Sequence, residues 1–182
     1  LYKIFKPEFE KSDIDEAEIF HNLGKWNQMT GDRVAAVDAY TKSGDHESIL
    51  EIMAEKYASD LMTLAPRVVN KAFKSMDKET KMSNPIAYLT YIYSYSLIID
   101  IRKGAEMLKE AKEYYRLVRN LKDRKQILGE IALIESMAEF NDLRKMFKCY
   151  EQANEYFDGG TSAIFNPNVM ITFGVPLTIN LY

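Results

Sequence analysis

From Asp13 to Phe157 the apolar side chains recur at helical spacing, and no other feature limits the fold of this chain as strongly. In the first segment Ile19, Leu23, Trp26 and Thr30 follow the i, i+4, i+7, i+11 order that lays one stripe along a helix. Asp13 and Asp15 supply a capping residue and first-turn carboxylates favoured by the helix dipole, and Gly31-Asp32 ends the segment. A second helix is expected over Arg33–Ser43, rich in small residues, closing at Gly44-Asp45. A third runs from His46 to about Ala58, and a fourth from Pro66, which suits a first turn, to about Met76. Asn84-Pro85 opens a fifth over Ile86–Ile101, followed by segments at 103–119, 122–140 and 143–157.

One stretch reads both ways. Residues 89–97 run Leu-Thr-Tyr-Ile-Tyr-Ser-Tyr-Ser-Leu, and the alternation of Tyr91, Tyr93 and Tyr95 is the pattern of a strand. An internal repeat decides for the helix. A shift of 42 residues lays Arg102, Lys103, Ala111, Glu113 and Tyr114 on Arg144, Lys145, Ala153, Glu155 and Tyr156, and sets residues 89–98 on Ile131–Phe140, whose composition favours a helix. The repeating unit is therefore two antiparallel helices. An alanine followed four residues later by an aromatic recurs at Ala36/Tyr40, Ala111/Tyr115 and Ala153/Phe157, where the small residue admits a close neighbour and the ring fills the next gap. Tetratricopeptide repeats carry the same element in a shorter unit. The expected fold is an all-α superhelical array of antiparallel helix hairpins, tetratricopeptide-like, ending in a short irregular tail.

The domain reading follows. Residues 1–12 are the end of a preceding segment or a linker, 13–157 the helical-repeat domain, and 158–182 an apolar tail leading into a further repeat of a parent protein, since 161–182 hold no charged group. A start at Leu1 and an abrupt stop at Tyr182 read as an excised fragment. With 47% hydrophobic residues in 182, the chain has enough apolar side chain for a continuous core. The formal charge of −3 speaks against direct binding of nucleic acid by this piece, because neutralising phosphates takes clustered cations. The longest apolar-looking stretch, 86–101, is short for a membrane span and holds hydroxyls and Asp100, and no signal peptide is visible. A single cysteine, Cys149, excludes an internal disulfide framework and points to a cytoplasmic setting.

Chemistry is expected to be absent. His21, His46 and Cys149 do not stand at ligand spacing, and no phosphate-binding glycine motif occurs. Cys149, beside Phe147 and Tyr150 on an amphipathic helix, reads as a buried structural thiol rather than a nucleophile. Carboxylate pairs such as Glu106 and Glu110 read as solvated faces, so the chain is not expected to be an enzyme. Arg116, Arg119, Lys122, Arg124 and Lys125 cluster at a helix end, where cations suit the dipole. Trp26 reads as a core anchor of the first hairpin. The tyrosines Tyr88, Tyr91, Tyr93 and Tyr95 cover more than one face of their helix: either they pack in the core with hydroxyls at the rim, or they line a concave face that grips a peptide or small molecule.

The run from Ile19 through His21, Leu23-Gly24, Trp26 and Gly31-Asp32, then Ala35-Ala36-Val37 and Ser43-Gly44-Asp45, is similar to a segment of the MalT-like regulators of the LuxR group. Residues 171–176, Ile-Thr-Phe-Gly-Val-Pro, also resemble a stretch in that family. These blocks cover under a third of the chain. The resemblance implies a signal-sensing helical-repeat region that couples inducer or partner binding to activation of a parent transcriptional regulator. ATP would bind only in the parent's nucleotide module and DNA only through its helix-turn-helix, with no cofactor in this piece. The partners would be the parent's other domains and an inducer molecule or protein, with Tyr88, Tyr91 and Tyr95 as the candidate groove. A tetratricopeptide-like interaction scaffold unrelated to transcription is the alternative.

Overall fold

The computed structural model describes residues 15–118, 122–139 and 142–165. The expected linker 1–12, the capping role of Asp13, the cluster member Arg119 and the tail motif at 171–176 lie outside them. Among the described residues there are ten helices and no strand: α1 (Glu16–Met29), α2 (Arg33–Ser43), α3 (His46–Ala54), α4 (Asp60–Leu64), α5 (Pro66–Ser75), α6 (Lys78–Ser83), α7 (Pro85–Ile98), α8 (Ile101–Leu117), α9 (Arg124–Ala138) and α10 (Leu143–Phe157).

Short polar side chains set most of these starts by giving the first free amides an acceptor. Asp15 accepts from the Ala17 amide, Asp32 from Ala35, Asp45 from Ser48, Asp77 from Thr80, Asn84 from Ala87, Asp100 from Arg102 and Lys103, and Asp142 from Lys145. Asp100 explains one departure from expectation: it begins α8, so α7 stops at Ile98 instead of Ile101. The third helix likewise stops at Ala54, short of Ala58, and residues 55–59 turn before α4. Helices α4 and α6, of five and six residues, have too few turns to show a period in sequence.

Helix α7 is the hub. It packs against α3, α4, α5, α6, α8 and α9, and every residue from Ala87 to Tyr95 is buried. A helix enclosed on all sides has no polar stripe, which is why its sequence imitates a strand. Consecutive helices pair: α1 with α2, α7 with α8, and α9 with α10. A shift of 42 residues carries α8 onto α10 and sets most of α7 on α9. Burial repeats with it: Ala87 and Gly129, Tyr88 and Glu130, Leu89 and Ile131, Ile92 and Ile134, and Ser94 and Ser136 are all buried.

Two glycines show why the small residues recur. A Cβ on Gly24 of α1 would lie 2.5 Å from Cε1 of Tyr40 on α2, and a Cβ on Gly129 of α9 would lie 2.5 Å from Cε1 of Phe157 on α10. In both pairs the ring of the alanine-aromatic element lies where a side chain on the facing helix would project. The expectation for Trp26 is corrected. It is 61% exposed, and Ile19 and Leu23 lie in the open with it, while the buried residues of α1 are Gly24 and Asn27. The stripe and the buried face are different sides of the helix, because close approach to α2 needs the glycine side.

Candidate functional site

The tyrosines named from sequence come together in the core. Tyr91 stacks on Phe73 of α5 with ring centroids 4.1 Å apart, Tyr88 lies 6.5 Å from Tyr91, and Tyr95 lies 5.6 Å from Tyr91 on its other side. The Tyr91 hydroxyl donates to Asn70 Oδ1 at 2.9 Å. Burial pushes the Tyr88 phenol up to about 12 and the Tyr91 phenol further still. Tyr88, Tyr91 and Tyr95 are each at most 6% exposed, so a ligand reaching their faces must first displace packed neighbours. Tyr93 points elsewhere, 4.4 Å from the ring of Phe165.

Two open clefts lie at other places. One of about 760 Å³ is lined by Glu16, Ala17, Phe20 and Lys42, whose ammonium stands 5.1 Å over the Phe20 ring. The other, about 590 Å³, is lined by Glu47, Glu51, Glu79 and neighbouring residues of α3 and α6, an acidic wall unsuited to anions. Among the described residues no group of three or more His, Cys, Asp or Glu side chains is placed to hold a metal ion. Burial pushes the Cys149 thiol up, with Glu135 acting in the same direction, the reverse of what a nucleophile needs. In the basic cluster, the Arg124 guanidinium donates to the carbonyls of Val118, at 2.9 Å, and Arg116, closing the end of α8.

The site that sequence reasoning missed centres on Glu130. Its side chain on α9 is fully buried. The hydroxyl of Ser162 donates to Oε2 at 2.6 Å, the Ala163 amide to Oε1 at 2.6 Å, and the Gln126 amide to Oε1 at 2.7 Å. Burial holds the carboxyl above its usual range even against these donors, which favour the ionised form. Residues 161–165 form a strap against the first half of α9, where Gln126 also donates to the Thr161 carbonyl at 3.1 Å. The Ala163 carbonyl accepts from the Tyr57 amide at 2.9 Å, Ile164 is fully buried, and Phe165 meets Tyr93. Tyr57 holds φ at 66°, the left-handed region that a ring-bearing residue rarely occupies. The sequence did carry a sign of this: Glu130 is the one charge in the run 127–134.

The first helices form a second polar junction. His21 Nδ1 lies 2.8 Å from Asp45 Oδ2, and since a carboxylate only accepts, Nδ1 carries the proton. Burial alone would raise the Asp45 carboxyl, but hydrogen bonds from the Ser48 amide, the Ser48 hydroxyl and His21 outweigh it and leave it below the usual carboxylate range. The Tyr40 hydroxyl reaches back to Gln28 Oε1 at 2.9 Å, so α1 is tied to α2 and to the cap of α3.

Comparison with protein-family models, with curated proteins and with solved structures finds no match to this chain.

Proposed function

We propose that the chain is an interaction and signal-sensing domain of a LuxR-group, MalT-like transcriptional regulator, built as a superhelical array of tetratricopeptide-like hairpins. The observation that carries this reading is the unit made by residues 19–45. The residues behind the resemblance act together in the structure: Gly31 and Gly44 turn with positive φ, Asp32 and Asp45 cap the helices that follow, and His21 reaches Asp45 from the helix that holds Trp26. Binding of an inducer or partner would bias the packing of successive hairpins between two arrangements. The tyrosines Tyr88, Tyr91 and Tyr95 serve in this reading as the pocket that opens when the hairpins shift.

An interaction scaffold without a part in transcription is the second reading. It draws support from Ile19, Leu23, Trp26 and Met29, which stand exposed on α1 and suit a protein partner. Reading the gene outward from residues 1 and 182 separates the two. A phosphate-binding loop upstream together with a helix-turn-helix downstream upholds the regulator, and flanks with neither overturn it. In a regulator so identified, Tyr91→Phe should alter the inducer dose that half-activates a reporter; an unchanged dose response in a variant of normal abundance removes Tyr91 from the pocket.

A further inference from the structure

Residues 162–165 meet the rest of the chain residue by residue. The segment is a turn closed on itself, the Ser162 hydroxyl accepting from the Ile164 amide at 3.1 Å and the Phe165 amide at 2.9 Å, and its backbone is joined to the rest of the chain by the Ala163 amide to Glu130 and the Ala163 carbonyl to the Tyr57 amide. Its side chains are read one by one: the Ser162 hydroxyl by Glu130 Oε2, Ile164 by a fully enclosed apolar seat, and Phe165 by the Tyr93 ring. The Ile164 carbonyl faces the Ser59 hydroxyl at 3.5 Å. The receiving side is costly to build for packing alone. It keeps a carboxyl group wholly out of water, and it holds Tyr57, whose amide donates to the Ala163 carbonyl, in a left-handed backbone conformation.

We propose that Glu130, the Tyr57 amide and the Ile164 seat form a peptide-reading groove that the chain fills with its own residues 162–165, and that a partner segment of the order Ser, small, aliphatic, aromatic displaces them. The chemistry selects such a partner. Glu130 accepts from a hydroxyl and an amide and repels an acidic residue at the first position, the third position must be uncharged to enter the seat, and the fourth needs a ring to meet Tyr93. This inference stands apart from the tyrosine pocket, so either fails alone.

The test uses the full chain and a fluorescein-labelled peptide, Gly-Thr-Ser-Ala-Ile-Phe, copied from residues 160–165. Changing Ile164→Ser and Phe165→Ser in the chain removes the two apolar anchors of the resident segment, and weakening this competitor should tighten peptide binding by about tenfold or more. The same peptide with aspartate in place of its isoleucine should bind neither form. A released variant that keeps its helical circular dichroism yet binds no tighter than the native chain overturns the proposal. Hydrogen exchange on the native chain covers the case in which the variant loses its fold. The Ala163 and Tyr57 amides should open together and well before the Ile92 amide in α7, whereas exchange of all three at one rate makes the segment an inseparable part of the core and overturns the groove.

Discussion

At Gly24 and Gly129 the same missing atom has different consequences, because the rings opposite them differ in freedom. Tyr40 is 1% exposed with its hydroxyl held by Gln28, so it cannot turn away from a methyl group on Gly24. Phe157 is half-buried at the end of α10 and has room to swing. Alanine regains about 1 kcal/mol of helix propensity at either position. Overpacking costs about 1–3 kcal/mol where nothing yields. Gly24→Ala should therefore lower the urea midpoint clearly, while Gly129→Ala should leave it nearly unchanged. Buried Glu130 and half-buried Asp45 act oppositely on pH. Folding raises the Glu130 pKa, so the folded chain holds that proton more tightly, and stability falls as pH rises from about 4.5, the ordinary value, through the raised one. Glu130→Gln should remove this slope. Folding lowers the Asp45 pKa, so its contribution is present above the ordinary value of 3.8 and is lost as pH falls through the lowered one. Asp45→Ala should cost about 1 kcal/mol at neutral pH through the lost cap, with urea titrations converging on the native chain in acid. The turn chemistry around Asp45 was legible because Gly-Asp pairs act locally. The role of Glu130 was not, since its donors at 162 and 163 lie more than thirty residues away in sequence.

Among whole elements, α7 shows best what a sequence pattern can and cannot convey. Its alternating tyrosines suit a strand, and only the 42-residue register with α9 makes it a helix; the structure agrees, with Pro85 in the first turn and Asn84 capping it. What the pattern left open was direction. Periodicity gives the angular spacing of side chains but not which side meets a neighbour, so the stripe through Ile19, Leu23 and Trp26 suggested an inner face that turned out to be the outer one. The choice was made by the closest approach available, at Gly24. In α7 every direction is inward, and the side chains are correspondingly sensitive. Tyr91→Phe loses only the bond to Asn70 and should cost about 1 kcal/mol. Tyr91→Ala also leaves Phe73 facing a void and should cost about 3–5 kcal/mol, measured by chemical denaturation.

Across the molecule, contact is unevenly shared. Among the described residues helix α1 has α2 as its one substantial helical neighbour, whereas α7 touches six. Local opening should follow that order. Amides of α1 should exchange with solvent first and those at 89–93 last, near the rate of global unfolding; equal protection in both would mean that the chain opens as one unit. The all-helical class was legible because it rests on a pattern repeated over most of the chain. The strap was not, because five residues in an uncharged stretch show no period, and their place depends on a partner helix. The enclosure of α7 also has a bearing on synthesis. Its neighbours come from both sides of it in the chain, α3, α4, α5 and α6 before and α8 and α9 after, and the strap meets it last at Tyr93. A ribosome delivers the most apolar helix well before its later walls exist, so the nascent chain must carry α7 half-covered until α9 emerges. That interval, not the finished fold, is when this protein is most open to aggregation and most in need of a chaperone.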